Sequence, residues 1–433
     1  MSTPNQLLKT LTEKEHDTRL SALYALDGTQ ASLERARDRA IHVVQSFIKT
    51  FSPSDSANAA LFSGPGRTEI GGNHTDHQHG HVLCGSVDLD MLACAAPNGK
   101  NMIRIQSEGY PPLEVSLDDL RPRKEDENSS PALVRGVAEQ VIKLGYSLSG
   151  FDAYVTSNVL SGSGLSSSAA YEVLVSNILN HFFCGGAMTP IQIAKIGQYA
   201  ENVHFGKPCG LMDQMGSSVG GAVSIDFADP TAPVVEQAKY DFTKSGHALC
   251  IVDTCSSHGD LTGDYADITL EMGAVAAHFG KKFLRDVPEA HFRGTLPTLR
   301  AQVGDRAVLR AMHYYEDDRR AVEEAKALAT GDFAAFLTLV NESGLSSALH
   351  LQNTWSITDP RQQAIPVVLA IGRELLGGTG AIRVHGGGFA GTIQAFVPNE
   401  KLNDFRAGME QLLGKGKCHI LHIRPQGGCV VIP

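Results

Sequence analysis

Apolar positions recur at helical spacing over much of residues 1–50. Leu33, Ala36, Ala40, Val44 and Phe47 form one stripe at steps of three and four, and Asp27-Gly28 breaks the pattern ahead of it. Residues 52–58 are a polar loop. From 59 to 96 the rhythm changes to apolar runs around a glycine-rich stretch, which predicts strand, turn and strand. Residues 124–130 are charged and polar, as a linker is. Helical periodicity returns at 131–144, 169–183 and 190–204, and the partly β-branched alternation of 151–159 predicts a strand. Residues 221–227 and 248–253 also predict strands, 265–280 and 317–340 predict helices, and 381–397 predicts strand, glycine turn and strand. The loop at 228–233 is the expected boundary between an N-terminal lobe, 1–230, and a C-terminal lobe, 231–433. Strands and helices mix without a regular βαβ rhythm, so the expected fold class is α+β rather than a doubly wound sheet.

A chain of 433 residues is long enough for two or three domains with substantial cores. It carries 37 Lys+Arg against 47 Asp+Glu and no basic run of five, so neither nucleic acid nor an anionic membrane is an expected partner. The first residues are polar, without an apolar signal core, and no apolar run reaches membrane-spanning length. Eight cysteines lie scattered without a CxxC pair, the pattern of reduced packing thiols in a cytoplasmic protein.

Four segments carry candidate chemistry. In Gly162-Ser163-Gly164-Leu165-Ser166-Ser167-Ser168 two glycines permit close backbone approach, hydroxyls follow, and a helix begins. Strand, Gly/Ser loop and helix start present free N–H groups at the positive end of a helix, an anion site that most often takes phosphate. A plain helix cap in a serine-rich turn fits the composition equally well. The segment from Gly64 to His81 packs Arg67, Asn73, Asp76 and four histidines into a glycine-rich stretch, a density that is costly to bury without a ligand or mutual pairing. His74, Asp76, His77, His79 and His81 invite a metal, but their order matches neither HExxH nor the metallohydrolase pattern.

From Glu201 to Gln214, Asp213 follows a Pro/Gly turn among small and apolar residues and suits either a general base or a salt-bridged structural group. The fourth segment is His385-Gly386-Gly387-Gly388-Phe389-Ala390-Gly391. With Gly216-Ser217-Ser218-Val219-Gly220 it imitates an esterase's oxyanion loop and nucleophile elbow. The elbow lacks a preceding hydrophobic strand, however, and the two pieces occur in the wrong order.

In this order and at these separations, the segments resemble the motifs of the GHMP small-molecule kinases, and among them the galactokinases. Gly66-Arg67 through His74-Thr75-Asp76 is similar to the sugar signature, 162–170 to the phosphate motif, 207–214 to the segment with the catalytic aspartate, and Gly386–Gly391 to the third motif. The resemblance implies two α+β lobes with the reaction in the cleft between them. It implies ATP-dependent phosphorylation of the C1 hydroxyl of galactose, giving galactose 1-phosphate and ADP. By the same resemblance Asp213 is the base and Arg67 its partner. Asn73, His74, Asp76, Gly210 and Tyr265 meet the sugar. Gly162, Ser163, Gly164, Leu165, Ser166, Ser167 and Ser168 cradle the ATP phosphates, and Ser168 and Glu201 hold Mg2+. The partners implied are a small sugar and ATP.

The chain also departs from the pattern. Asn73 stands where galactokinases usually carry a glutamate that contacts the sugar's 6-hydroxyl. Asp76-His77-Gln78 replaces Asp-Tyr-Asn, Ala266-Asp267-Ile268 replaces Asn-Arg-Arg, Leu160 replaces a proline, and the N-terminus is extended. An uncharged amide at 73 would not repel a C6 carboxylate. A hexuronate such as galacturonate is therefore an alternative acceptor, and a non-catalytic sugar sensor of the same fold is a third reading.

Overall fold

Every residue of strand β1 (Ala60–Gly71) is buried, because it pairs with a strand on each side in the larger of two sheets and is covered on both faces. The computed structural model describes residues 2–54, 56–159, 164–256 and 261–433. Along the chain, β2 (His81–Pro97), β3 (Met102–Ser107), β4 (Leu113–Ser116), β5 (Phe151–Ser157), β6 (Ala222–Asp226) and β7 (Val234–Ala238) join the first sheet. A second sheet holds β8 (His247–Asp253), β9 (Ala381–His385), β10 (Thr392–Pro398) and β11 (Cys418–Leu421), and β12 (Cys429–Ile432) returns to pair with β1. The first sheet runs β12-β1-β2-β5-β3-β4, with β6 on the first half of β2 and β7 beyond it; the second runs β11-β8-β10-β9 and is antiparallel throughout.

The period-2 alternation of strands sets the layers. Leu92, Cys94 and Ala96 of β2 face an N-terminal layer of α1 (Pro4–Thr12), α2 (Asp17–Tyr24) and α3 (Gln30–Phe51). Ala93 and Ala95 face the opposite way, toward α4 (Ser130–Lys143), α5 (Ser167–Phe183) and α6 (Pro190–Tyr199). The helix α7 (Met212–Val219) lies against β1 and β2 beside Cys84. In the second sheet, Leu249, Ile251 and Phe396 pack inward with Ile70 and Leu83 of the first, so one core joins the lobes. Cys250, Val252 and Val397 face α13 (Ala364–Leu376) and α14 (Leu402–Leu413) on the outside. The remaining helices are α8 (Thr262–His278), α9 (Glu289–Gly294), α10 (Leu296–Val303), α11 (Asp305–Thr330) and α12 (Phe333–Ser346). Sequence chemistry fixes several starts. At α6, Thr189 accepts from the Gln192 N–H while the Gln192 side chain accepts from the Thr189 N–H, a capping box with Pro190 in the first turn.

The α+β class is as expected, and the break at 27–28 separates α2 from α3. The division at 230 is not where the sheets part. Residues 228–233 turn a β6–β7 hairpin inside the first sheet, and β12 brings the C-terminus back to the same sheet. A hairpin turn and a linker share the same Asp, Pro and Thr composition, so the sequence does not tell them apart. The helix expected over 317–340 is two helices, parted at Gly331, whose φ of +76° ends α11. The eight cysteines are free thiols. Among the described residues no helix is long and apolar enough to cross a membrane.

Candidate active site

Arg67, on β1, reaches across to Asp213, in the first turn of α7, where the helix dipole favours a carboxylate. Its Nε and Nη2 both donate to Asp213 Oδ1, at 2.9 and 2.5 Å. Its Nη1 donates to the carbonyl of Gly164, and its backbone N–H donates to Leu165 O at 3.0 Å. Burial alone would lower the Arg67 pKa, but the Asp213 charge outweighs it and holds the guanidinium protonated. The Asp213 side chain keeps 25% of its surface exposed, open to the cleft.

Around this pair lie the residues of the sugar signature. His74 has a left-handed backbone (φ +59°), and its Nε2 donates to Gly387 O at 2.9 Å. Burial pulls its pKa down to about 4, so the imidazole is neutral. A Cβ at Gly210 would sit 2.9 Å from Asp76 Oδ2, so the missing side chain is what leaves room for that carboxylate. Burial would raise the Asp76 pKa, but hydrogen bonding and charge from His77 outweigh it and hold it below its ordinary value. Tyr265, near the start of α8, donates its hydroxyl to Gly388 O at 3.0 Å and lays its ring on Gly387, where a Cβ would meet it at 2.6 Å. The third glycine motif thus forms the wall on which His74 and Tyr265 are held.

Asn73, the expected sugar contact, is bound within the protein. The residue has no exposed surface. Its amide nitrogen donates to Glu69 Oε1 (2.7 Å) and Gly386 O (2.8 Å), and its oxygen accepts from Asn353 Nδ2 (2.8 Å) and Ser347 Oγ (3.2 Å). Its hydrogen-bonding capacity is used inside the protein. The carboxylate of this corner belongs to Glu69, 7% exposed, with Arg383 Nη2 at 3.6 Å. Burial first, with the Asp76 charge adding to it, pushes the Glu69 pKa up. Glu69 lies four residues before Asn73, inside the motif, which is the signal by which the sequence could have disclosed it.

At the phosphate end, Gly164, Leu165 and Ser166 lead into α5, with Gly164 and Ser166 in left-handed conformations (φ +73° and +55°). Ser168 Oγ donates to Glu201 Oε1 at 3.1 Å, Lys207 Nζ meets the same oxygen at 3.2 Å, and Gln214 Nε2 donates to Glu201 Oε2 at 2.8 Å. Gln214 also donates to Glu172 Oε2 at 3.0 Å; Glu172 has no exposed surface, and its Oε1 has no partner among the described residues. Burial and the neighbouring Glu201 push the Glu172 pKa well up. These hydroxyl and carboxylate oxygens, one of them buried without a partner, are the hard donors that Mg2+ accepts. Glu172, Lys207 and Gln214 were not singled out from sequence, although Glu172 falls one helical turn after Ser168 on the same face. Gly162, Ser163 and Leu160 lie outside the described residues. A cavity of 350 Å³ opens beside Ser167 and Ser168, lined by Tyr110, Leu113, Val155, Val159, Tyr171 and Phe205 among others.

Of the other histidines in the first motif, His77 lies 3.9 Å from Asp76, with its Nε2 buried and without a partner among the described residues, whereas His79 and His81 are engaged within the protein. His79 stacks on Phe283 with ring centroids 3.7 Å apart, and His81 lies 3.0 and 3.2 Å from the carboxylates of Asp318 and Asp226. Among the described residues no three His, Cys, Asp or Glu side chains gather as a metal site. Ser217 of the esterase-like segment is buried in α7 and donates to Pro65 O at 2.6 Å, so it is no exposed nucleophile.

Residues 45–97 match the family described as the galactokinase galactose-binding signature, and residues 132–221 match the GHMP kinases N terminal domain. The chain is 30% identical to a galactokinase of Streptomyces coelicolor over 339 residues, covering 78% of this chain and 84% of that one. Its fold is similar to that of Lactococcus lactis galactokinase, solved in complex with galactose, with a TM-score of 0.74, 21% identity and coverage of 89% and 98%. A mevalonate kinase of Methanococcus jannaschii shares the fold more distantly, with a TM-score of 0.59, 14% identity and coverage of 86% and 99%. By sequence and by fold, the chain belongs to the galactokinase family of the GHMP kinases.

Proposed function

We propose that this chain transfers the γ-phosphoryl group of ATP to the C1 hydroxyl of galactose. The observation that carries the reading is the three-way contact of Arg67. One guanidinium ties the carboxylate of Asp213, among the sugar-signature residues, to the carbonyl of Gly164, in the phosphate segment. The sugar and the triphosphate would therefore meet over one rigid pair.

In this mechanism Asp213 takes the proton of the C1 hydroxyl as the oxygen attacks the γ-phosphorus and the bond to the β-phosphate oxygen breaks. Arg67 orients Asp213 and offsets the charge that builds on the transferring group. His74, neutral and fixed by Gly387, and Asp76, beside Gly210, would bond sugar hydroxyls. The amides of Gly164, Leu165 and Ser166 and the start of α5 would cradle the phosphates, and the cavity beside Ser167 and Ser168 would take the nucleoside. Ser168 and Glu201 would hold the Mg2+ that accompanies ATP, which neutralises phosphate charge.

The hexuronate reading rested on an uncharged residue at 73. Glu69, hydrogen-bonded to that amide, restores a carboxylate to the same corner and removes the rationale. The assembled set of Arg67, Ser168, Glu201 and Asp213 also argues against a sensor. A coupled assay of ADP release with galactose, galacturonate and glucose is the test. Turnover on galactose is expected to exceed that on the other two by at least tenfold. Turnover confined to galacturonate, or none on any hexose, would overturn the reading.

A further inference from the structure

A second cavity, larger than the one beside the phosphate segment, lies on the opposite side of the first sheet. It encloses 630 Å³ between the N-terminal helices, β2 and the edge of the second sheet. Its size falls within the range of pockets that take metabolites. One part of its lining is apolar: Ala36, Leu89, Leu92 and Ile420. The other is charged: Arg35 and Arg39 from α3, Arg406 from α14 and His422 just past β11, set against Asp27 and Asp88.

The charges there do not cancel evenly. Asp88 is matched by His422, with Nδ1 to Oδ2 at 3.0 Å, and the buried Asp90 is met by two arginines, Arg39 at 2.5 Å and Arg424 at 3.4 Å. Asp27 accepts from the backbone N–H and hydroxyl of Thr29 and from the hydroxyl of Ser32. Arg406 pairs with the half-buried Glu410 at 3.2 Å. Arg35 donates to the neutral Ser32 hydroxyl at 2.7 Å and has no ion-pair partner among the described residues. Burial disfavours charge on His422, but Asp88 and Asp27 outweigh it and hold its pKa above the ordinary value. In a chain of net charge −10, the unpaired Arg35 leaves a small local surplus of positive charge at the mouth of this cavity.

We propose that this cavity is a second ligand site, distinct from the kinase cleft, for a small oxyanion-bearing metabolite. The oxyanion, a phosphate ester or a carboxylate, is held by Arg35 with Arg406 and His422, and the carbon body lies on Ala36, Leu89 and Ile420. Guanidinium forks bond either oxyanion in two-point fashion, so the arginines define the chemistry without choosing between the sources. The site is built on α2 and α3, the part of the chain that precedes the first kinase motif, so those helices would do more than cover the sheet.

The test is titration calorimetry on the full chain with the kinase cleft filled by a non-hydrolysable ATP analogue and galactose. Inorganic phosphate and citrate serve as separate probes for the two oxyanion sources. At least one is expected to bind with the cleft occupied. Arg35→Glu, an exposed change on α3, is expected to weaken that binding at least tenfold while leaving the unfolding midpoint in place. Ala36→Trp, which fills the cavity and keeps its charge, is expected to do the same. No binding of either probe with the cleft filled, or binding that both variants leave within twofold, would overturn the proposal.

Discussion

Replacing Asn73 by aspartate changes one NH2 group to an oxygen of nearly the same size, so it isolates the hydrogen bonds from the packing. In the native chain that NH2 lies 2.7 Å from Glu69 Oε1 and 2.8 Å from Gly386 O, and the residue has no exposed surface. After Asn73→Asp both contacts become acceptor against acceptor, and one places two carboxylates together. Each buried acceptor left without a donor costs about 1–3 kcal/mol. An added buried charge without a partner raises the sum to roughly 3–6 kcal/mol. The bonds accepted from Ser347 and Asn353 survive, which keeps the figure from going higher. Equilibrium urea unfolding of both proteins gives the difference directly, as a lower midpoint at unchanged slope. The loss should shrink at acid pH, where residues 69 and 73 can share a proton. A stability change below about 1 kcal/mol, together with a raised KM for galactose, would refute the reasoning and return Asn73 to the sugar.

Asp213→Asn is expected to lower kcat by about 10²–10⁴ while the KM for galactose moves little, since the carboxylate acts on the proton rather than on ground-state binding; steady-state kinetics with a near-normal kcat would remove it from the base role. Gly388→Ala should destabilise the chain by about 2 kcal/mol or more, because φ is +83° and the new Cβ would lie 2.1 Å from Asn353 O; denaturant unfolding checks it. The folded-state pKa of His74 is about 4, whereas an unfolded histidine titrates near 6.5. Between these values the unfolded chain binds the extra proton, so the His74 contribution is full above about pH 6.5 and is lost as pH falls toward 4. Unfolding at pH 7 and pH 5 should accordingly show a larger acid loss in the native chain than in His74→Gln.

Much of this site was legible because its motifs are local. Arg67, His74, Asp76, Asp213 and Ser168 each sit in a short segment whose glycines and turn residues announce a backbone approaching a ligand. What the sequence could not disclose was which side chains spend their bonds inside the protein. Asn73 reads as a ligand residue until Asn353 and Gly386, about 280 and 313 positions away, are seen to occupy it. Glu172 reads as one polar residue on a helix face, yet it is sealed behind Gln214 and Glu201. The return of the C-terminus to the first sheet is hidden for a similar reason: strand pairing between β12 and β1 joins residues more than 360 apart, and no local pattern records it.

The central claim is that a phosphoryl group passes from ATP to the anomeric oxygen of galactose over the Arg67–Asp213 pair. Phosphorus NMR of the products of chain, ATP, Mg2+ and galactose reads this most directly. The expected spectrum shows galactose 1-phosphate and ADP growing in equal amounts, with neither formed by Asp213→Asn over the same interval. Phosphate on any other hydroxyl, or ADP that appears at the same rate without the sugar, would contradict it.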